Sequence, residues 1–357
     1  MPEIRTRTAV ADRGRRRTAR RGTARRRTVP WRTGVRGGPG TRRALALGAV
    51  LPVVLGLVPP SAAAAATAAT AGPGPGALPA GRTGAVAAGP AEAVAAGGTG
   101  AVAAAAGATA SCTTPDVVLG FTLLYAVSGA LRGRPSTTAV HLDDPSSGTH
   151  CELRADRAYD AASVVKVTVL GALLRTAEKA GRALTAREKH LARAMITRSD
   201  NAATSSLWQS LGTGRIDAFR KAAGMTRTVL GRDGYWGLTR TTARDQNTLL
   251  RLLTTPNTVL TDASREHALG LMRDVVPGQR WGTPAGAPEG ADVRLKNGWL
   301  PRAHDGWRVH SAGAFTTGGR TYRLTVLTED SRAMGDGIAT IEALSRALHR
   351  ELRAAGG

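Results

Sequence analysis

The sequence Ser-Val-Val-Lys at Ser163–Lys166 begins a segment in which Leu170, Leu173 and Leu174 recur at helical spacing. Residues three positions apart lie on one face of a helix, so the amino group of Lys166 can reach the hydroxyl of Ser163. The backbone N–H groups at a helix N-terminus also stabilise negative charge that develops there. A desolvated lysine beside a second cation can lose its proton and accept the hydroxyl proton. The spacing makes Ser163 a candidate nucleophile and Lys166 a candidate base.

A second short motif, Ser199-Asp200-Asn201, lies between two segments with helical patterns. The hydroxyl of Ser199 can relay a proton between a lysine and a leaving nitrogen. The side-chain amide of Asn201 offers both a donor and an acceptor to an amide substrate. Ser199 is therefore a candidate proton relay, and Asn201 is a candidate substrate contact.

A third motif, Lys296-Asn297-Gly298, ends a predicted strand at 292–296. Lysine supplies positive charge for a substrate carboxylate, and glycine permits a close backbone approach. The backbone N–H of Trp299 can complete an oxyanion hole with the N–H of Ser163.

Each motif alone also has an ordinary structural explanation. The pattern S-x-x-K arises by chance about once in a chain of this length, and its lysine can lie on the surface near a helix cap. Ser199 or Asp200 can simply cap the next helix, and a strand that ends in Lys-Asn-Gly can be only a turn. The combination and order of the three motifs favour a catalytic site.

The predicted elements are a helix at 116–132, a hairpin of strands at 137–142 and 149–154, helices at 185–195, 201–211, 215–223, 242–253 and 263–275, strands at 292–296, 307–315 and 321–327, and a final helix. The apolar side of the first helix is expected to hold Val117, Phe121, Leu124 and Val127. Thr185 and Glu188 form a capping-box pattern. The order predicts an α+β fold, in which helices flank an antiparallel sheet and an all-helical lobe is inserted in the middle.

This arrangement resembles the superfamily of class A β-lactamases and penicillin-binding proteins over residues 112–357. The resemblance implies a β-lactamase-like fold, with Ser163 as the nucleophile, Lys166 as the activating base and Ser199 as the proton relay. It also implies that Lys296 is catalytic as an anchor and electrostatic partner, and that the substrate-binding residues are Asn201, Asn297, Gly298 and Trp299. Its substrate would be a small β-lactam or a cell-wall peptide.

Two features depart from the pattern of that superfamily. Class A β-lactamases carry a glutamate in the omega loop, whereas Asp217 and Asp233 are the only acids between Asn201 and Thr241 here. Residues 231–237 resemble a shortened omega loop, which makes Asp233 the candidate deacylation base. The third motif has Asn297 in place of threonine and Trp299 in place of a small residue. We expect a hydrolase that forms an acyl-enzyme on Ser163; the alternatives are a D-Ala-D-Ala peptidase-like hydrolase and a non-catalytic envelope protein.

The N-terminal part of the chain has the features of an export signal. Residues 1–43 contain fifteen Arg, residues 44–58 are apolar, and small residues follow at 61–64. We interpret 1–64 as an Arg-rich extension with a Sec or twin-arginine signal peptide and 65–111 as a disordered Ala/Gly/Pro-rich spacer. The expected location is secreted or cell-wall associated, without a membrane span after cleavage. The alternative, an arginine arm that binds nucleic acid, lacks interleaved aromatic residues, and no nucleic-acid partner is expected.

The two cysteines, Cys112 and Cys151, are candidates for one disulfide in an exported protein. A lipidated Cys112 is the alternative. The seven histidines show no tight spacing with cysteines or carboxylates, so no metal and no other cofactor is expected. We expect a monomer.

Overall fold

The computed structural model describes residues 99–104 and 108–355. Its strands are β1 (Thr99–Ala104), β2 (Ala108–Thr113), β3 (Thr137–Asp144), β4 (Thr149–Leu153), β5 (Tyr159–Asp160), β6 (Arg240–Thr241), β7 (Asp292–Arg302), β8 (Gly306–Thr317) and β9 (Arg320–Ser331). Its helices are α1 (Val117–Leu131), α2 (Val165–Lys179), α3 (Ala186–Thr197), α4 (Asn201–Ala222), α5 (Ala243–Thr254), α6 (Asp262–Arg273) and α7 (Met334–Ala354). Within these ranges, no helix has the length and apolar character needed to cross a membrane.

Seven strands form one antiparallel sheet in the order β1-β2-β4-β3-β9-β8-β7. One apolar cluster lies between this sheet and helices α1 and α7, and includes Leu123, Val326 and Leu344. A second cluster fills the helical lobe formed by α2 to α6, and includes Leu170 and Phe219. The predicted α+β fold with an inserted helical lobe is confirmed.

Helix α1 shows where the predicted apolar face is wrong. Asp116 caps the helix, because its Oδ1 accepts hydrogen bonds from the N–H groups of Val118 and Leu119 at 2.9 and 3.1 Å. Leu124 and Val127 are buried as expected, but Val117 and Phe121 are exposed. The helix is apolar on nearly every side, so its periodicity does not identify the buried face.

The predicted end of the disordered spacer is also wrong, because β1 and the first residues of β2 lie before position 112. These strands pair with each other, and β2 pairs with β4. Small residues without clear alternation give a weak strand signal, whereas the backbone ladder with β4 provides the pairing. Residues 1–98, which include the predicted signal peptide, lie outside the described residues.

A disulfide joins Cys112 on β2 to Cys151 on β4. The two residues are register partners in the antiparallel ladder, with their Cα atoms 4.1 Å apart and both side chains buried. The bond closes a loop over a sequence separation of 39 residues. Closing such a loop stabilises a folded domain by about 2–4 kcal/mol.

The helical lobe depends on close packing between α2 and α4 at Gly171. A Cβ atom at this position would overlap the ring of Phe219, which is fully buried. Gly171→Ala is therefore expected to lower the free energy of unfolding by about 1–3 kcal/mol through overpacking. Urea unfolding monitored by circular dichroism measures this change.

The matched control is Gly270→Ala in α6, where an added Cβ meets nothing within 4 Å. Because alanine is a better helix former than glycine, this variant should be more stable by roughly 0.5–1 kcal/mol. Equal stability of Gly171→Ala and the parent protein would contradict the packing argument.

Candidate active site

Ser163 lies in a 3-10 turn, Ala162–Val164, that leads directly into α2. Ala162 has a positive φ of 47°, and the N–H of Ala161 donates to the carbonyl of Thr239 at 2.7 Å. These constraints fix the approach of the chain to Ser163. The serine side chain is half-buried at the wall of a cleft of about 360 Å³.

The amine of Lys166 is held inside the protein by three oxygen atoms. It donates to the carbonyl of Ser199 at 2.6 Å, to the hydroxyl of Ser199 at 3.1 Å and to Oδ1 of Asn201 at 2.8 Å. The ring of Trp236 covers the amine at 4.8 Å. Burial lowers the pKa of Lys166 to about 7, although the nearby charge of Asp200 favours the protonated form. A substantial fraction of Lys166 is therefore neutral at neutral pH.

Lys296 reaches the same serine hydroxyl from the sheet. Its amine donates to Oγ of Ser199 at 3.0 Å and to the carbonyl of Asn297 at 2.8 Å. Burial, and then the charge of Lys166, hold the pKa of Lys296 well below its usual range. The Ser199 hydroxyl thus joins two buried amines, and it can exchange a proton with either of them when that amine is neutral.

The Ser199 motif also contains a helix cap. Oδ1 of Asp200 accepts from the N–H of Ala203 at 2.7 Å, so Asp200 caps α4. Ser199 itself has a positive φ of 56°, a costly backbone conformation for serine that turns the chain between α3 and α4. Asn201 lines the cleft, and because Lys166 occupies its carbonyl oxygen, the amide donors remain for a substrate.

The Lys296 motif lies inside a strand, where the sequence predicted a strand end. Strand β7 continues to Arg302, since the ladder with β8 runs on through Gly298 opposite His310. Gly298 packs against the 3-10 turn at Ala162–Val164, which we call the serine turn. A Cβ atom at Gly298 would lie 2.7 Å from the backbone nitrogen of Ser163. β7 is the last strand of the sheet, so one row of its backbone groups has no partner strand among the described residues.

Asn297 does not contribute its side chain to the cleft, contrary to the sequence prediction. Successive strand residues point to opposite sides, so Lys296 and Gly298 face the serine turn while Asn297 faces away. Its Nδ2 donates to the carbonyls of Gln279 and Trp281 at 2.9 and 2.8 Å, and the side chain is buried. The structure gives Asn297 a role in holding the segment at 279–281 against β7.

The cleft wall also contains residues to which the sequence analysis assigned no individual role, several of them from the predicted short omega loop at 231–237. Besides Ser163, Asn201 and Trp299, the lining consists of Ala162, Gly234, Tyr235, Trp236, Gly237, Leu238 and Leu300. Asp233 is exposed and is not part of this lining, so the structure does not bring the candidate deacylation base to the cleft. The indole of Trp236 is fixed by a 3.2 Å hydrogen bond from Nε1 to the hydroxyl of Ser205. Tryptophan in a short Gly-rich loop was the signal in the sequence that could have identified this wall.

A cluster outside the cleft bears on the expectation of no metal. Ligand atoms of His141, His150 and Glu152 lie within 4.8 Å of one another on strands β3 and β4. Sequence spacing did not reveal this cluster because it spans two strands. The guanidinium of Arg244 binds both carboxylate oxygens of Glu152, at 2.5 and 2.6 Å, and also binds Asp156. We assign the cluster a structural role in joining the β3–β4 hairpin to α5.

A family model for the beta-lactamase enzyme family matches residues 179–352, which contain the second and third motifs but not Ser163. No curated protein matches the chain.

Solved structures give the wider comparison. A class A β-lactamase representative from Bacteroides cellulosilyticus is 16% identical, with a TM-score of 0.58 over 66% of this chain and 99% of that chain. PBP-A is 21% identical, with a TM-score of 0.58 over 66% and 96% of the two chains. A β-lactamase from Sphaerobacter thermophilus is 23% identical, with a TM-score of 0.56 over 66% and 97%.

At these identities the similar structures establish the fold, and the family model adds the sequence relationship. Together they show that residues 179–352 are similar in sequence to the beta-lactamase enzyme family, and that the chain has the fold of class A β-lactamases and PBP-A.

Proposed function

We propose that the protein is a serine hydrolase that forms an acyl-enzyme on Ser163 with a β-lactam or a related amide or ester. The observation that carries the proposal is the pair of buried amines, Lys166 and Lys296, on the hydroxyl of Ser199. A leucine-to-glutamate variant of PBP-A has been solved as an acyl-enzyme complex with penicillin G. That complex supports testing the same chemistry in this chain.

In the proposed acylation step, Oγ of Ser163 attacks the substrate carbonyl carbon while neutral Lys166 accepts the hydroxyl proton. The carbonyl oxygen becomes an oxyanion between the backbone N–H groups of Ser163 and Trp299. Lys166 then returns a proton through Ser199 to the leaving nitrogen or oxygen, and the bond from carbon to the leaving atom breaks. Lys296 contacts the same Ser199 hydroxyl, and a positive charge on it would disfavour a second positive charge on the nearby amine of Lys166.

The proposed acyl-enzyme is expected to persist, because no acidic side chain lines the described cleft. Hydrolysis of an ester intermediate needs a base that activates water, and the candidate Asp233 lies outside the lining. The ring of Trp236 also covers Lys166 and restricts the approach of water to that amine. The proposal is therefore fast acylation followed by slow deacylation.

A non-catalytic role explains the buried lysines less well. Neither amine has a carboxylate partner among its hydrogen bonds, and each is at most 1% exposed. Burial of an amine without an ion pair lowers stability. A protein that only binds a ligand would have no reason to retain two such buried amines.

The first test is intact-mass analysis of the protein after incubation with benzylpenicillin. We expect one covalent adduct, located on Ser163 by peptide mapping, and no adduct on Ser163→Ala. Lys166→Met should lower the acylation rate by about 10²–10⁴-fold, because the proton acceptor is lost.

Ser128→Ala, a change on α1 away from the cleft lining, is the matched serine control and should retain the adduct. A folded parent protein that stays unmodified by both benzylpenicillin and its methyl ester between pH 5 and 9 (about two units either side of the proposed base) would overturn the proposal.

We further propose that the chain is exported through its N-terminal segment. The arginine-rich and apolar stretches support this, and so does the Cys112–Cys151 disulfide, since such bonds persist in oxidising compartments.

N-terminal sequencing of protein recovered from the medium or the wall fraction should find a start after about residue 64. Replacing Arg42 and Arg43 by lysine should block export only if the twin-arginine route is used. Recovery inside the cell with residues 1–43 attached would contradict export.

A further inference from the structure

We infer that the cleft takes substrates whose groups beside the scissile carbonyl are uncharged and apolar, rather than substrates anchored by a carboxylate. This inference rests on the proposed function and deepens it by naming the substrate class. Its basis is the composition of the cleft wall. Of the described residues that line the cleft, none is charged, and the apolar or aromatic ones are Ala162, Tyr235, Trp236, Leu238, Trp299 and Leu300.

The two amines near the cleft are not placed to bind a substrate carboxylate. Lys166 already donates to three oxygen atoms, and Lys296 donates to the Ser199 hydroxyl and the Asn297 carbonyl. Neither lysine belongs to the cleft lining, and their exposed fractions are 0% and 1%. A protonated Lys166 uses all three of its N–H groups in these contacts, so a carboxylate could bind it only by replacing one of them. Lys296 is therefore placed to act on the proton relay through Ser199, and its amine is not exposed at the cleft surface.

The side chain of Asn297, which follows Lys296, does not supply the missing contact to a substrate carboxylate. A hydroxyl or amide at Asn297 would have to face the cleft to bind an anion, but the Asn297 amide donates to the carbonyls of Gln279 and Trp281 on the other side of β7. A negatively charged substrate group would lose its hydration in this cleft. It would gain neither a nearby cation nor a hydrogen-bond donor from Asn297.

The aromatic walls favour an apolar group in its place. Trp236 is held by Ser205, and Trp299 packs against Trp281 with ring centroids 5.9 Å apart, so both indoles are positioned before a substrate binds. Tyr235 is 66% exposed, an unusual exposure for a large ring at a cleft wall. A phenyl or alkyl group in contact with these rings would remove apolar surface from water.

The test compares benzylpenicillin with its methyl ester, which differ only in the carboxylate. The measurement is the second-order rate constant for acylation of Ser163 by intact mass. We expect the methyl ester to react at least about tenfold faster, since masking the charge removes its desolvation penalty. An equal or faster rate for the free acid would overturn the inference while leaving the proposed function intact. Failure of both compounds to acylate Ser163 would overturn the proposed function and this inference with it.

A variant tests the same point from the protein side. Tyr235→Arg places a cation on the exposed part of the cleft wall, and it should shift the ratio of the two rates toward the free acid by about tenfold through Coulomb attraction at short range. Val229→Arg adds the same charge at a 64% exposed position outside the lining and should leave the ratio unchanged. The inference fails if Tyr235→Arg leaves the ratio unchanged, or if Val229→Arg shifts it as much.

Discussion

The hydroxyl of Ser199, with the amines of Lys166 and Lys296 at 3.1 and 3.0 Å, is the contact on which the rest of the site depends. Two ammonium groups this close and this buried repel each other strongly, so the environment favours at least one neutral amine. The three residues come from three different elements: α2, the turn before α4, and β7. The fold therefore has to bring the sheet and the helical lobe together accurately before the chemistry is possible.

The close contact between β7 and the serine turn achieves this accuracy. Gly298 allows the strand backbone to approach the nitrogen of Ser163, and any side chain there would separate the two elements. Ala162 and Ser199 both have positive φ values, and such strain persists only where surrounding structure enforces it. The cost of this strain is offset by apolar packing within the lobe and by the disulfide on the far part of the sheet.

Sequence reasoning succeeded where local chemistry decides the structure. The capping box at Thr185 and Glu188 is present, with hydrogen bonds of 3.2 and 2.8 Å. The two helices predicted on either side of residue 212 are both present within α4, where non-helical backbone angles at Gly212 form a kink between them. The motif lysines meet at the hydroxyl of Ser199, the residue that was predicted to relay a proton.

Sequence reasoning failed where long-range contacts decide the structure. The direction of Asn297 follows from which face of β7 meets the lobe, and the extension of β7 to Arg302 follows from its ladder with β8. The position of Trp236 over Lys166 depends on how the loop at 231–238 folds back, which no local pattern encodes. These contacts join residues far apart in the chain, so helical and strand periodicity carries no information about them.

The pH dependence of the acylation rate of Ser163 tests the central claim that buried Lys166 is the base. A lysine with a lowered pKa accepts a proton only above that pKa, so the rate should rise with pH, pass its half-maximum near 7 and level off above it. In Lys166→Met this ionisation should disappear, whereas Lys179→Met, at an exposed position on the same helix, should retain it. A rate that is constant from pH 5 to 9, or that rises only near pH 10 as for an ordinary lysine, would contradict the account.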